Sequence, residues 1–376
     1  MARTKKIVPD SALDIALPEK SIMIPSGITL LDLAGSDTTD GFCSAGHCVN
    51  SIGDRNAGKT MQALASMAET HRRYGDMFDY KVYDAENAFN FKVRELFGSK
   101  FSEHLEVIPV PLEKDWCTQA LAAKILATMD SGKPQFVVVD SMDQLRALKE
   151  FENDDAGELE GALALRAVAN KYFLRRLIPR IASTGSFMIY LSQATEAIGM
   201  KAKFTPKIRG GGKALGYYAF IELWLSKGGQ IKIGDVKVGD WTIAKIARSK
   251  ENGKAREAWF PILPAYGVDD TRANIDWLFE EGVIVPDKSP EEKAKKKTYQ
   301  VAGNGKEEDA DSKKKKTNSV YDLRKIGIEY VGKDACLFVE QNGLVDKVVE
   351  AVKVRWATNE QKLIDCTFGG RKPRYE

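Results

Sequence analysis

The residues from Gly53 to Thr60, within SIGDRNAGKT, are spaced as glycine, four residues, glycine, lysine and threonine. Backbone N–H groups in such a turn, and at the start of a helix that follows it, present unpaired donors to an anion. The chemistry that fits is triphosphate binding. Gly53, Asp54, Arg55, Asn56, Ala57, Gly58, Lys59, Thr60 and Met61 would form the cradle, Lys59 would reach the β and γ phosphates, and the Thr60 hydroxyl would bind Mg2+. Such a loop needs a strand leading in and a helix leading out. Cys48 to Ile52 reads as the strand, although Asn50 and Ser51 interrupt its apolar run, and Met61 to Tyr74 has the amphipathic spacing of the helix.

A bound metal also needs a carboxylate, and FVVVDS provides one. Four apolar residues from Phe136 put Asp140 at the carboxyl end of a buried strand, where α/β sheets bind ligands; its other reading is a cap on the next helix. Glu86, in VYDAENAF, follows another strand and is a candidate for orienting and deprotonating an attacking water. Gln193 ends a third strand, FMIYLSQ, where its amide could sense the terminal phosphate. Taken singly, Glu86 also reads as a cap or surface acid, and Gln193 as a satisfied strand-end amide.

Directly after Gln193, the stretch from Ala194 to Lys213 carries Lys201, Lys203, Lys207, Arg209 and Lys213 against one acid, Glu196. Gly199 and the run Gly210, Gly211, Gly212 allow close approach of the backbone to phosphates. Contact with an unpaired strand fits this composition, with Ile198 and Met200 as apolar side chains able to enter between bases.

The elements that would position these residues alternate in type. Short β-rich runs at Lys81–Tyr83, Leu105–Val110, Phe136–Val139 and Phe187–Leu191 are separated by helical stretches at Asp115–Met129 and Leu159–Ile178, the latter expected to stop at Pro179. This order predicts an α/β fold with a mostly parallel central sheet flanked by helices. From Phe220 the runs FIELWLSKGG, WTIAKIARSK and EAWFPILPAYG predict antiparallel strands extending that sheet. The expected organisation is a short proline-broken segment over residues 1–27, a core over 28–268, and a small C-terminal α/β lobe over 269–376 interrupted by a charged linker or insertion at about 287–318. The 376 residues carry 56 Lys and Arg against 53 Asp and Glu, a net charge of +3, so any nucleic-acid contact must rest on local clusters. No apolar run approaches bilayer length, and MARTKKIVPD lacks a signal peptide's apolar stretch, which argues against a membrane partner. The five cysteines are scattered and are expected to be reduced thiols.

In this order, SGITLLDLA, GDRNAGKT, VYDAENAF, FVVVDS, IYLSQ and RGGGKALGYYA resemble the RecA family of DNA strand-exchange ATPases, phage-encoded members included. The likeness runs from about Ile28 to Ile284. It implies a RecA-like phosphate-loop NTPase core in which Lys59 and Thr60 bind ATP and Mg2+, Asp140 supports the metal, Glu86 is the catalytic carboxylate, and Gln193 couples nucleotide to DNA. Arg248 and Lys250, in KIARSK, match two basic residues that reach the ATP of a neighbouring subunit. The family's first DNA loop would span about Lys149 to Leu163, with Arg166 at the start of the following helix; its second is the basic glycine stretch. The implied activity is DNA-dependent ATP hydrolysis to ADP and phosphate, driving homologous recombination and repair. The implied partners are single-stranded DNA, homologous duplex, further copies of the chain in a filament, and single-strand-binding and loading proteins, all in the cytoplasm of a bacterium or a phage-infected bacterial cell. The alternatives on the same core are a ring-forming helicase or translocase and a nucleotide-gated DNA-binding accessory protein with little turnover. Arg55 stands where bacterial members usually carry an acid, and Asn90 and Val93 stand at their adenine contacts.

Overall fold

The computed structural model describes residues 22–130, 132–155, 161–196, 207–210, 212–286 and 319–368. Near the start, β1 (Met23–Ile24) pairs with β2 (Cys43–Ser44) around α1 (Thr29–Ser36), which is buried along almost its whole length. The chain then alternates. It passes through β3 (Cys48–Gly53), α2 (Lys59–Tyr74), β4 (Asp79–Asp84), two short helices α3 (Val93–Phe97) and α4 (Ser99–His104), β5 (Leu105–Pro109) and α5 (Thr118–Met129). It continues through β6 (Gln135–Asp140), α6 (Leu148–Asp155), α7 (Ala162–Thr184) and β7 (Phe187–Glu196). A short β8 (Lys207–Arg209) folds back on the end of β7, and α8 (Lys213–Tyr218) follows. Three long strands come next: β9 (Ile221–Ile233), β10 (Val236–Ser249) and β11 (Arg256–Leu263), with β12 (Gly267–Val268) at the edge.

The main sheet runs β12-β11-β10-β9-β3-β7-β6-β4-β5. Its β3, β4, β5, β6, β7 and β9 pair in parallel, and the extension from β9 through β12 is antiparallel. Alternation of strand and helix therefore produces the expected doubly covered parallel centre, since right-handed crossovers place helices on both faces. β3 and β6 are buried at every position, as central parallel strands must be.

One expectation is corrected. Pro179 does not stop α7, which continues to Thr184 and ends at Gly185. Proline removes one helical hydrogen bond, but Phe173, Leu174, Leu177 and Ile181 are fully buried on both sides of it, so core packing carries the helix through.

The C-terminal region packs directly on this core. It consists of α9 (Asp270–Glu280), the ribbon of β13 (Tyr321–Asp322) and β14 (Val331–Gly332), α10 (Ala335–Gln341) and α11 (Val345–Phe368). One apolar cluster joins Ile28 and Phe260 to Leu278, Leu323, Val352 and Trp356. Glu360 on α11 accepts from Arg256 at 2.6 Å and from Lys254 at 2.9 Å, and Arg355 pairs with Glu281 at 3.0 Å. The charged stretch expected at about 287–318 lies outside the described residues. No helix among the described residues is long and apolar enough to cross a membrane.

Candidate nucleotide and DNA site

Because β3, β4, β6 and β7 run in parallel, their carboxyl ends meet along one edge. Register then sets neighbours: Gly53 lies opposite Gln193, and Asp84 opposite Asp140.

The loop leaving β3 turns through Asn56 at φ 57° and Gly58 at φ 90°, backbone that a β-branched residue could not adopt without strain, and α2 starts at Lys59. The Lys59 ammonium is buried and donates to the carbonyls of Gly53 and Asp54, each at 2.9 Å. Burial lowers its pKa, against the pull of Asp140, Glu86, Asp143 and Asp54. Arg55 and Asn56 are exposed, while the side chains of Ala57 and Met61 are buried, so Met61 offers the loop only its backbone.

Thr60 Oγ1 donates to Asp140 Oδ2 at 2.6 Å, uniting the two residues expected to hold a metal. Burial pushes the Asp140 carboxyl up to about 6, opposed by the Thr60 hydrogen bond. A hydroxyl and a carboxylate are hard oxygen donors of the kind Mg2+ prefers, and the loop and lysine beside them suit a triphosphate, so the residues fit both.

The loop after β4 is pinned to the end of β6 by hydrogen bonds from Ala85 N and Glu86 N to the Asp140 carbonyl, at 2.6 and 3.1 Å. That brings Glu86 Oε1 within reach of two donors, Ser141 Oγ at 2.9 Å and Gln193 Nε2 at 3.2 Å. Glu86 itself stays exposed. Asp143 accepts from Gln193 N at 2.6 Å, and burial raises its pKa. Ser141 and Asp143 are the residues that motif reasoning missed. Both lie in the same FVVVDSMD run as Asp140, so their position next to a strand end was the available signal.

Beyond Gln193, Ala194–Glu196 pairs with Lys207–Arg209 in an antiparallel ribbon, and Gly210 N donates to the Gln193 carbonyl at 3.0 Å. The two described ends of the basic segment are therefore paired beside the loop that leaves β3. Ile198, Gly199, Met200, Lys201, Lys203 and Gly211 lie outside the described residues. Lys207 forms an ion pair with Asp54 of the phosphate loop. Arg209 turns inward instead, donating to Glu222 Oε2 at 3.0 Å and Asn50 Oδ1 at 3.3 Å. A Cβ on Gly216 would meet the Arg209 guanidinium, which would then have to shift from its place. Asn50 also donates to the Tyr190 carbonyl at 3.0 Å and Ser192 Oγ at 2.9 Å, so the polar break in the β3 run is a buried anchor for Arg209. Gly212 caps α8, whose first residue is Lys213.

Of the remaining expected residues, one reaches this cluster, through the Asp143 backbone. Arg166 donates to Glu150 Oε2 at 2.9 Å and to the Asp143 carbonyl at 3.3 Å, bracing α7 against the segment after β6. Arg248 donates to the carbonyls of Gly216 and Ala219, the latter at 2.9 Å. Lys250, two residues on, is exposed.

Residues 15–269 match the family model described as the RecA N-terminal domain. Protein RecA of Fusobacterium nucleatum is 30% identical over 280 residues, 73% of this chain and 70% of that protein. Protein RecA of Thermus thermophilus is 30% identical over 271 residues, 71% of this chain and 75% of its own length. Protein RecA of Chlorobium limicola is 30% identical over 256 residues, covering 66% and 69% respectively. The loop from Gly53 to Thr60, Asp140 and Gln193 thus meet on one sheet edge, in a chain whose matched span includes all of them: the chain belongs to the RecA family.

Proposed function

We propose that the protein is an ATP-dependent recombinase that assembles on single-stranded DNA as a filament, pairs it with homologous duplex, and hydrolyses ATP to ADP and phosphate. In this reading the loop from Gly53 to Met61 holds the phosphates, and Lys59 moves from its own loop carbonyls onto the β and γ oxygens. Thr60 and Asp140 hold Mg2+, which when bound neutralises charge on the phosphates. Glu86 takes the proton of the attacking water, held in place by Ser141 and Gln193. Charge on the leaving phosphates is met by basic residues of a neighbouring copy, with Lys250 the more accessible of the pair and Arg248 bracing its strand. Lys207 and Lys213, with Lys201 and Lys203, supply phosphate contacts to DNA, while Arg209 and Arg166 hold the two DNA-facing segments onto the core.

The observation that carries the reading is Gln193. Its amide donates to Glu86 at the nucleotide, while its carbonyl receives Gly210 at the root of the basic hairpin. A shift at either end therefore moves the other. The Lys207–Asp54 pair adds a second link, but both partners are substantially exposed, and such pairs contribute only about 0–1 kcal/mol, so it can yield readily when a phosphate arrives. The direct test is ATP turnover by the full chain with and without a single-stranded oligonucleotide. Stimulation by DNA, with salt-sensitive DNA binding that strengthens on adding a non-hydrolysable ATP analogue, is expected. Equal turnover in both arms, with DNA affinity indifferent to nucleotide, would sink the proposal. Electron microscopy of the same complex separates helical filaments from the closed rings of a helicase.

A pH dependence follows from Asp140. Its carboxylate is charged above about 6, and below that a proton occupies the group that Mg2+ needs. Mg2+-dependent nucleotide affinity should therefore weaken as pH falls from 7 to 5, by roughly tenfold for this one group. Asp140→Asn should keep only the slope due to the nucleotide's own phosphates. Identical slopes in the two proteins would remove Asp140 from the metal site.

A further inference from the structure

The chain has three histidines, and two of them converge with an aspartate well away from the nucleotide site. His71 lies in the last turn of α2, Asp76 in the single 3-10 turn Gly75–Met77 that follows, and His104 at the end of α4. Asp76 Oδ1 is 2.8 Å from His104 Nε2 and 3.9 Å from His71 Nε2, and the ligand atoms of all three lie within 4.8 Å of one another. They line a groove of about 940 Å³ between α2 and α4.

Hydrogen bonding fixes the chemistry of His104. Its Nδ1 is 2.7 Å from the Lys100 carbonyl, and a carbonyl only accepts, so Nδ1 carries the proton. In the neutral ring, Nε2 then directs a lone pair at a carboxylate oxygen. A cation between them resolves that opposition. An imidazole whose far nitrogen donates to a backbone carbonyl is also the usual arrangement around a bound metal, because it sets the tautomer and aims the lone pair. His71 is held just as firmly: its ring packs edge-on against Tyr80 at 5.6 Å and tilted on Phe101 at 5.9 Å, with its side chain 11% exposed.

We infer that His71, Asp76 and His104 form a site for one divalent ion of the Zn2+ class, clamping the end of α2 to the end of α4. Two imidazoles and a carboxylate suit Zn2+, Co2+ or Ni2+ rather than Mg2+, which demands an oxygen shell. In a tetrahedral Zn2+ site the donor atoms stand roughly 3.4 Å apart, which the 2.8 and 3.9 Å separations bracket. Asp76, 72% exposed, leaves the outer face open for water as a fourth ligand. The site is about 18 Å along α2 from Lys59, so it is independent of the triphosphate and of the proposed recombinase activity.

The test is equilibrium dialysis of the full chain against Zn2+ alone in excess Mg2+, with Co2+ substitution read by its visible absorption. One equivalent is expected, together with intense tetrahedral-type Co2+ bands and a Zn2+-dependent rise in Tm. His104→Ala and Asp76→Asn should each weaken Zn2+ binding at least about tenfold and abolish that rise. Unaltered binding of a fluorescent ATP analogue would show that both variants are folded; Asp76→Asn, at a largely exposed position, keeps the test valid if His104→Ala does not fold. Absence of a stoichiometric Zn2+ site would reduce the trio to an imidazolium–carboxylate pair and overturn the inference. Binding unchanged by both substitutions would overturn it equally, since the metal would then sit elsewhere.

Discussion

Lys59→Ala should lower ATP turnover by roughly three orders of magnitude, the scale seen when a preorganised donor to developing charge is removed from a closed site. In the free protein Lys59 is held by its own loop. Its ammonium is buried and held by two carbonyls of its own loop, at 2.9 Å each, and its charge is balanced by Asp140, Glu86, Asp143 and Asp54. Alanine removes the positive charge from a group of acids and leaves the phosphates to meet that negative field unopposed. Nucleotide affinity should therefore fall with turnover. DNA-stimulated hydrolysis should vanish, while salt-sensitive, nucleotide-independent DNA binding through Lys201, Lys203, Lys207 and Lys213 survives. Fluorescent-nucleotide titration and DNA anisotropy on the same variant check the two halves. Simultaneous loss of both, in a protein that still melts cooperatively, would mean that nucleotide and DNA do not occupy separate sets of residues. Under the proposed coupling through Gln193, Lys59→Ala should also abolish any nucleotide-induced gain in DNA affinity.

How far the sequence exposes this arrangement depends on the range of the interactions involved. The glycine loop is readable because its pattern is local: the glycine spacing, the lysine and the hydroxyl are contiguous, and strand and helix periodicities flank them. The parallel sheet is readable because β3, β4, β6 and β7 each carry apolar runs of strand length between helical stretches. Arg209 is different. Its neighbours are lysines and glycines, which suggest an exposed phosphate contact, yet the groups that hold it are Glu222 and Asn50, 13 and 159 residues away. No window along the chain contains that information. The same is true of the Glu86–Gln193 hydrogen bond, which spans 107 residues and exists only because parallel pairing brings both strand ends to one edge. Pro179 fails in the opposite direction: a strong local rule predicts a stop, and long-range burial of Leu177 and Ile181 overrides it. Ser141 and Asp143 fall between these cases, close to a recognised residue in sequence but assigned a purpose only by the partners the fold provides.

Glu86→Gln should separate chemistry from binding. Five carboxylates approach the sheet edge; Asp54 is paired with Lys207, and geometry decides which of the other four is available to accept a proton from water. Asp84 is buried and accepts from Phe89 N at 2.9 Å; Asp140 is committed to Thr60, and Asp143 to the backbone of Gln193. Glu86 alone of the four is exposed, and its Oε1 is oriented by Ser141 and Gln193. A glutamine keeps the length of the side chain and an oxygen that can accept from both of those donors, so the ribbon root and the loop after β4 should hold their positions. It cannot take up a proton. Turnover should fall by roughly 10² to 10⁴, the range attributed to a positioned general base, with ATP affinity changed by less than about threefold. Because ATP would bind without being consumed, DNA complexes formed by this variant should outlast those of the unaltered protein when ATP is supplied, a gain that a merely misfolded active site cannot produce. Retention of turnover within tenfold would transfer the role to Asp143, whose carboxylate burial makes the stronger base, and Gln193 would then act on the nucleotide through its backbone rather than through its amide.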